Sequence, residues 1–284
     1  MARRAFERSR GKVLMADRTA KKQEEQQEAE ERSAPSARVV HAAVSEQGED
    51  ELNRPTSSLF WSGLGAGIAM TASVSASGAL HHFLPDTPWR EAVTSLGYPL
   101  GFLIIILGRM QLFTEQTMVA VLPLARKPSL ACLGRVARLW LVVFLANMLG
   151  AAAGAALAVF GRVQSDAVLT GMVGVAAKLL ERAPLEVLMQ AIPAGFLIAS
   201  VAWIRSATEG SGFSIVFAIT YGIALCGFAH VIAGASEAFL LLGHGEAGLG
   251  WVTGGFLLPA LVGNIIGGTG LFALLAHAQV KDEI

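Results

Sequence analysis

The feature that most constrains this chain is a long C-terminal stretch that carries almost no charge. Residues 58–284 hold only 11 basic and 11 acidic side chains, although the whole chain of 284 residues has 22 of each. In a typical soluble domain, roughly 25% of the residues are Asp, Glu, Lys or Arg. A charge-poor stretch of this length is not expected in a soluble domain. The sequence therefore predicts an all-α polytopic membrane protein.

Charge-free apolar windows give the number of membrane spans. A transmembrane helix needs about 20 consecutive, mostly apolar residues. Four windows supply this length: 55–80, 139–161, 187–204 and 247–280. Two further apolar stretches are shorter and interrupted: 98–107 and 214–228. The sequence predicts six spans, with spans 2 and 5 broken near residues 108–115 and 229–236.

The distribution of basic residues predicts the orientation in the membrane. With six spans, both termini lie on one side, and that side holds 17 of the 22 basic residues, against 4 on the other. Basic loops stay in the cytoplasm, so we expect both termini to be cytoplasmic in a plasma (inner) membrane. Residues 1–57 are polar and are expected to be a separate cytoplasmic region, disordered or partly helical. A tail of this composition can bind a partner or a lipid surface, or simply set the orientation.

The six spans contain a sequence repeat. Asn-Met-Leu-Gly at 147–150 resembles Asn-Ile-Ile-Gly at 264–267. Thr114 precedes the first Asn by 33 residues, and His230 precedes the second by 34. Three spans is an odd number, so the two halves are expected to form an inverted repeat. Broken helices at corresponding positions of two such halves indicate a substrate site near the membrane midplane.

The chemistry of a broken helix points to a polar pathway. Free backbone groups survive in a membrane only where they face protein or a water-filled cavity. The N-terminus of a half-helix also favours anions, because its free N–H groups point outwards. We therefore place Thr114 and His230 in the substrate pathway. A histidine can carry charge or pass on a proton near neutral pH, and the alternative is a neutral imidazole bound to a backbone carbonyl.

Five other polar residues are candidates at membrane depth. Asn147 and Asn264 either line the pathway or join helices to each other. Arg109, Glu115 and Glu237 are costly there unless they are paired or hydrated. They form a charge pair that steadies the break, or they contact the substrate directly.

Several other classes of protein are disfavoured. Cys132 and Cys226 fit neither a disulfide framework nor a metal site. The chain has no net charge and no basic field, so nucleic acid is not an expected partner. No His-Glu-x-x-His motif occurs, so we expect neither a metal nor enzymatic activity, and no cofactor is implied. The Asn-Pro-Ala motif typical of water channels is also absent from the sequence.

Four segments together resemble the formate–nitrite transporter family. They are Leu112-Phe113-Thr114, Gly227-Phe228-Ala229-His230, Lys178 and Gly-Asn-Ile-Ile-Gly-Gly at 263–268. The resemblance covers roughly residues 58–278. It implies an aquaporin-like protomer, a homopentamer with one pore per subunit, and passage of small monovalent anions such as formate or nitrite. It also implies that Thr114 and His230, with Leu112 and Phe113, surround the central constriction and that Lys178 is the basic residue of a vestibule.

The chain departs from the family pattern at both breaks. Gln111 and Glu115 stand where family members commonly have Glu and Gly, and Ala229 stands where they commonly have Glu before the histidine. We therefore expect a divergent branch. Its predicted function is a transmembrane transporter or channel for a small monovalent anion or its conjugate acid, with or without a linked proton. The alternative is a channel of the same shape for water or a small neutral solute.

Overall fold

The regular elements of the protein are helices. The computed structural model describes residues 34–208 and 210–283, and no strand occurs within these ranges. Helix α1 spans Ala37–Asn53 and buries one face, which includes Val40, Val44 and Leu52. The compact unit of the chain therefore begins at Ala37, earlier than the boundary expected after residue 57. Residues 1–33 of the predicted polar region lie outside the described residues.

Four long helices correspond to the four uninterrupted apolar windows. They are α2 (Thr56–Phe83), α6 (Leu130–Phe160), α8 (Pro184–Ala207) and α11 (Trp251–Glu283). Helix α6 begins before its apolar window because Ser129 caps it, accepting a hydrogen bond of 3.1 Å from the Cys132 N–H. The first turns of α6 carry Arg135 and Arg138, which bind Glu49 and the Leu52 carbonyl of α1.

The two interrupted stretches each form a pair of helices. The pairs are α3 (Arg90–Leu107) with α4 (Phe113–Val119), and α9 (Gly212–Leu225) with α10 (Val231–His244). The chain leaves the first helix of each pair through a residue with positive φ, Arg109 at 53° and Gly227 at 68°. The expected break at 229–236 is therefore corrected to 226–230, because the residues from Val231 onwards continue as helix.

Two short helices were not expected from the sequence. Helix α5 spans Leu122–Arg126, and α7 spans Asp166–Ala177. Helix α7 packs closely on α2, where Met172 lies against Gly78 and Gly171 faces the Gly78 carbonyl. Five described helices are long and apolar enough to cross a membrane, α3 among them. The broken span 5 is built from the two shorter helices α9 and α10.

The same order of elements occurs twice, and glycines bring the helices together at matching places. A side chain at Gly67 on α2 would collide with the Asn147 carbonyl on α6, and one at Gly195 on α8 would collide with the Asn264 carbonyl on α11. Gly267 on α11 likewise lies against the Ile192 carbonyl on α8. Each half is thus a long helix, a broken helix and a second long helix in tight contact.

Candidate functional site

The two breaks meet at a contact between Thr114 and His230. Thr114 lies in the first turn of α4, and His230 is the residue that immediately precedes α10. The Thr114 Oγ1 and His230 Nε2 atoms are 2.6 Å apart, and both side chains are buried. The structure therefore brings together the two residues that the sequence placed in different halves of the chain.

The surroundings of His230 determine its tautomer. The backbone N–H of Ala233 donates to His230 Nδ1 at 3.2 Å, so this nitrogen has no proton of its own. In a neutral imidazole the proton then lies on Nε2, which donates to Thr114 Oγ1. His230 is thus both the cap of α10 and the donor to Thr114. An imidazolium would lose the cap, because Nδ1–H cannot accept from the Ala233 N–H.

Apolar side chains close the space around this contact. The Phe102 ring on α3 lies edge-on to the His230 imidazole, with 4.9 Å between their centroids. Leu112, the residue before α4, is fully buried. The Phe113 ring packs against Trp140 and Phe144 of α6, and its expected place beside the constriction stays a prediction. Phe102 carries no polar group and belongs to no motif, so it could not be singled out from the sequence.

Asn147 and Asn264 hold the two breaks open in the same way. Asn147 Oδ1 accepts from the Phe113 N–H at 2.9 Å, and its amide donates to the carbonyls of Gly63 and Gln111 at 2.8 and 2.9 Å. Asn264 repeats this pattern in the second half. Its partners are the Val231 N–H and the carbonyls of Ala191 and Ala229, at 2.8, 2.8 and 3.0 Å.

Each asparagine therefore satisfies one N–H and one carbonyl of its break. It also ties the break to the preceding long helix, through the carbonyl of Gly63 on α2 or of Ala191 on α8. Both N–H bonds of each amide are used, and both side chains are fully buried. Neither amide can donate to a substrate. The hydrogen bonds show that both asparagines join helices, which is one of the two roles expected for them, and their place in the pathway lining stays a prediction.

A polar cavity of about 120 Å³ reaches His230 from the side of Lys178. We call it the Lys178 cavity. Its charged lining residues are Glu91, Lys178, Arg182 and Glu237. The Lys178 ammonium forms an ion pair with the Glu91 carboxylate. The predicted vestibule residue thus lies beside His230, with its charge balanced by a neighbour.

A second cavity, of about 380 Å³, lies on the side of α1 and shares no lining residue with the first. We call it the α1 cavity. Glu51 of α1 pairs with Arg54 at 3.1 Å and accepts from Gln111 Nε2 at 2.8 Å. Gln111 Oε1 in turn accepts from Gln116 Nε2 at 3.0 Å. A line of hydrogen bonds therefore connects α1 to the first break.

The three ionisable residues predicted at the breaks do not form one charge pair. Within the described residues, no ion pair joins Arg109, which is exposed, to Glu115. The cation that acts on the Glu115 carboxylate is Arg205 at the end of α8, which lines the same cavity. Glu237 lies in the other cavity, where Arg182 and Lys178 act on it. Arg205 and Arg182 escaped the sequence analysis because they are remote in the chain from their carboxylates.

The described part of the chain offers no group of three or more His, Cys, Asp or Glu side chains placed to hold a metal ion. The polar atoms around Thr114 and His230 are instead hydroxyl, imidazole and backbone groups. These can donate hydrogen bonds to a small oxygen-bearing solute.

The comparison with known families agrees with this geometry. The model of the formate/nitrite transporter family matches residues 38–278. The chain belongs to the formate/nitrite transporter family. The match begins at the start of α1, so this helix is part of the region shared with the family, which extends beyond the 58–278 resemblance. The chain is a multi-pass membrane protein.

One curated relative and two solved structures show how far the similarity reaches. The chain is 34% identical over 278 residues to the inner membrane protein YfdC of Escherichia coli (strain K12), which covers 98% of this chain and 86% of that protein. A pentameric formate channel with formate bound has a TM-score of 0.68 at 17% identity, over 80% of this chain and 97% of the channel. A second structure, an ion channel of the same family, has a TM-score of 0.72 at 20% identity, over 86% and 98%.

Proposed function

We propose that this member of the formate/nitrite transporter family carries a small monovalent anion or its conjugate acid across the membrane. The observation that carries the proposal is the buried Thr114–His230 contact at the meeting point of two half-helix N-termini. A polar cavity lies on either side of it. The solute passes between these two residues, from one cavity to the other.

The geometry favours a solute that is charged in the cavities and neutral at the constriction. Cations in both cavities and the helix N-termini attract an anion. At the constriction, the apolar side chains of Phe102 and Leu112 cannot stabilise a charge. An unpaired charge is costly at this depth in the membrane. The neutral acid crosses this section at lower cost. His230 Nε2–H and the Thr114 hydroxyl orient it by hydrogen bonds.

A second candidate, a channel for water or a small neutral solute, has one observation in its favour. Lys178 is balanced by Glu91, and each cavity also contains a carboxylate near the break. The electrostatic attraction for an anion is therefore weaker than the basic residues alone suggest. Under this alternative, flux is independent of the acidity of the solute.

Assembly and orientation complete the proposal. The similarity to a pentameric channel supports a homopentamer with one pore per subunit. The relative from Escherichia coli supports an inner membrane location. The basic residue count supports cytoplasmic termini, with residues 1–57 on that side. We assign the protein no enzymatic activity.

Uptake into proteoliposomes tests the function. Purified protein is reconstituted, and stopped-flow uptake of formate, nitrite, urea and glycerol is compared with that of protein-free liposomes. We expect formate and nitrite to enter faster than in the protein-free control. Uptake of urea or glycerol alone would favour the neutral-solute channel, and no uptake of any solute would contradict both candidates.

Two measurements test assembly and orientation. Native mass spectrometry in mild detergent should give a dominant pentamer. A dominant dimer or tetramer would refute the proposed homopentamer. A single cysteine introduced in the loop at 127–129 should react with impermeant reagents only from the cytoplasmic side. Labelling from outside the cell would contradict the predicted cytoplasmic position of this loop.

A further inference from the structure

The carboxylates that line the two cavities at the breaks are of two kinds. Glu51 and Glu91 are tied to partners, the first to Arg54 and Gln111, the second to Lys178. Glu115 and Glu237 have no hydrogen bond and no ion pair within 4.0 Å among the described residues. The Lys178 cavity thus contains one fixed carboxylate and one free carboxyl group. The α1 cavity contains such a pair and, in addition, the exposed Asp50.

The two free carboxyl groups lie on the corresponding half-helices of the two breaks, although at different distances from the helix start. Glu115 is the residue after Thr114 on α4, and Glu237 lies on α10, the helix that His230 caps. Glu237 and His230 line the same cavity. Both groups therefore lie on the half-helices that begin at the Thr114–His230 contact, one on each side of the closed section.

Each cavity also contains a buried polar atom that lacks a protein partner. Gln116 lines the α1 cavity and Thr94 lines the Lys178 cavity, and the buried Gln116 Oε1 and Thr94 Oγ1 atoms have no partner in the described part of the chain. Both side chains are at most 4% exposed. Gln116 Oε1 can only accept a hydrogen bond, so it suits a solute that still carries its acidic hydrogen.

We propose that Glu237 and Glu115 are the proton-exchanging groups of this pathway, each serving the cavity that it lines. This inference rests on the proposed function. A free carboxyl group at membrane depth is costly as a fixed charge, and it has no partner that would hold it in one state. It can therefore pass a proton to a bound anion and recover it from the cavity.

For entry from the Lys178 cavity, one proton is transferred to the anion and travels with it. The O–H bond of the Glu237 carboxyl group breaks, and the proton joins the anion to form the neutral acid. The acid crosses between Thr114 and His230, and on the far side its proton passes to the Glu115 carboxylate. Glu237 is reprotonated from its cavity, and Glu115 releases its proton into the α1 cavity. One proton and one anion cross together, so no net charge moves.

The charged groups that face these carboxyl groups come from several elements. Glu237 on α10 faces Arg182 and Lys178, with Glu91 of α3 in the same cavity. The groups around Glu115 are Arg205 of α8, Glu51 and Asp50 of α1, and Arg109 in the first break. Asp50 and Arg109 are exposed, so Arg205 and Glu51 are the charges that most directly influence Glu115.

The test measures formate and protons together in proteoliposomes. Formate uptake is followed with a pH-sensitive dye in the lumen, against protein-free liposomes as background. For the wild type we expect one proton to enter per formate. Formate entry without protons would overturn the inference while leaving the proposed function intact, and this measurement needs no variant. Absence of any formate flux would instead overturn the proposed function.

Variants then assign the groups. Glu237→Gln and Glu115→Gln keep the shape of the side chain and remove its proton exchange. We expect each to slow coupled uptake on the order of 100-fold, the lower range for a positioned acid or base. Glu237→Asp keeps a carboxyl group and should retain coupling. Glu181→Gln, at an exposed site that lines neither cavity, is the matched control and should behave as the wild type. Wild-type coupled flux in both assembled Gln variants would overturn the assignment.

Discussion

The two breaks of this protein share one scaffold and differ in what the scaffold presents. In both, a buried asparagine binds one N–H and one carbonyl of the interrupted backbone and one carbonyl of the preceding long helix. The residue before the second half-helix is Leu112 in the first break and His230 in the second. The leucine offers no polar atom there, whereas the histidine caps its helix and reaches Thr114.

This comparison distinguishes residues that stabilise the breaks from residues that act on the solute. Features that repeat in the two halves, such as the asparagines and the close-packed glycines, maintain the breaks. Features that occur in one half only, such as His230, Thr114 and the cavity charges, contact the solute in our proposal. Changes to repeated features should therefore have matched effects in the two halves, and changes to unique features should not.

The largest expected effect is the loss of stability when the hydrogen bonds of Asn147 or Asn264 are removed. Asn147→Leu and Asn264→Leu each leave one N–H and one carbonyl of a break unpaired in a buried site. At about 1–3 kcal/mol for each unsatisfied group, either variant should be strongly destabilised, to a similar degree. The midpoint of thermal unfolding in detergent measures this. Asn53→Leu, at an exposed site that accepts only from Arg135, is the control. A large effect in one half alone would break the equivalence.

A smaller matched effect is expected at the glycine contacts. Gly150→Ala places a methyl group against the Leu64 carbonyl, and Gly267→Ala places one against the Ile192 carbonyl. Overpacking of this kind costs about 1–3 kcal/mol. Thermal unfolding should show similar losses for both variants. Gly134→Ala has no atom within 4 Å of the added carbon, so it should be neutral or slightly stabilising. Equal losses at all three positions would rule out helix contact as the cause.

The positive-φ residues should respond with opposite signs. Arg109→Gly removes a side chain from the left-handed region, and Gly227→Ala introduces one there. The left-handed conformation costs a non-glycine residue about 1–2 kcal/mol. The unfolding midpoint should therefore rise for Arg109→Gly and fall for Gly227→Ala. A lower unfolding midpoint for both variants would show that the Arg109 side chain stabilises the fold by more than its left-handed backbone destabilises it.

The smallest expected effect concerns α1, which contacts the first break and not the second. Burial, together with the nearby charges of His277 and Arg126, lowers the pKa of His41 below its ordinary 6.5. The folded state therefore binds this proton less readily than the unfolded state. The contribution of neutral His41 to stability is present above pH 6.5 and is lost as the pH falls below it.

Hydrogen exchange, corrected for the intrinsic effect of pH, measures this change. Acidification should reduce the protection of α1 and of the first break, which Glu51 and Gln111 connect. The second break should keep its protection. His41→Gln should remove the pH dependence of α1, whereas His244→Gln, next to Glu246 at the end of α10, should not. Equal loss of protection in both breaks would show that α1 supports them equally.

Apolar length and a short repeat were enough to predict the six spans and the two interruptions, and to place Thr114 and His230 at matching positions in the two halves. Composition alone does not fix where a break begins, because that depends on the positive φ of a residue such as Gly227. It also does not show which way a side chain points, so the packing of Phe113 on α6 was not foreseen. The cations that share a cavity with Glu115 and Glu237 could not be predicted, because Arg205 and Arg182 are brought near them only by the tertiary fold.

The central claim is that the solute passes between Thr114 and His230, and a double-mutant cycle on formate flux tests it most directly. Thr114→Val removes the hydroxyl at constant shape. His230→Asn keeps an acceptor that can cap α10 but is too short to reach Thr114. The account predicts that each variant assembles normally and carries formate more slowly. The double variant should be no slower than the worse single variant, because either change breaks the same bond. Wild-type flux in all three assembled variants would contradict the account.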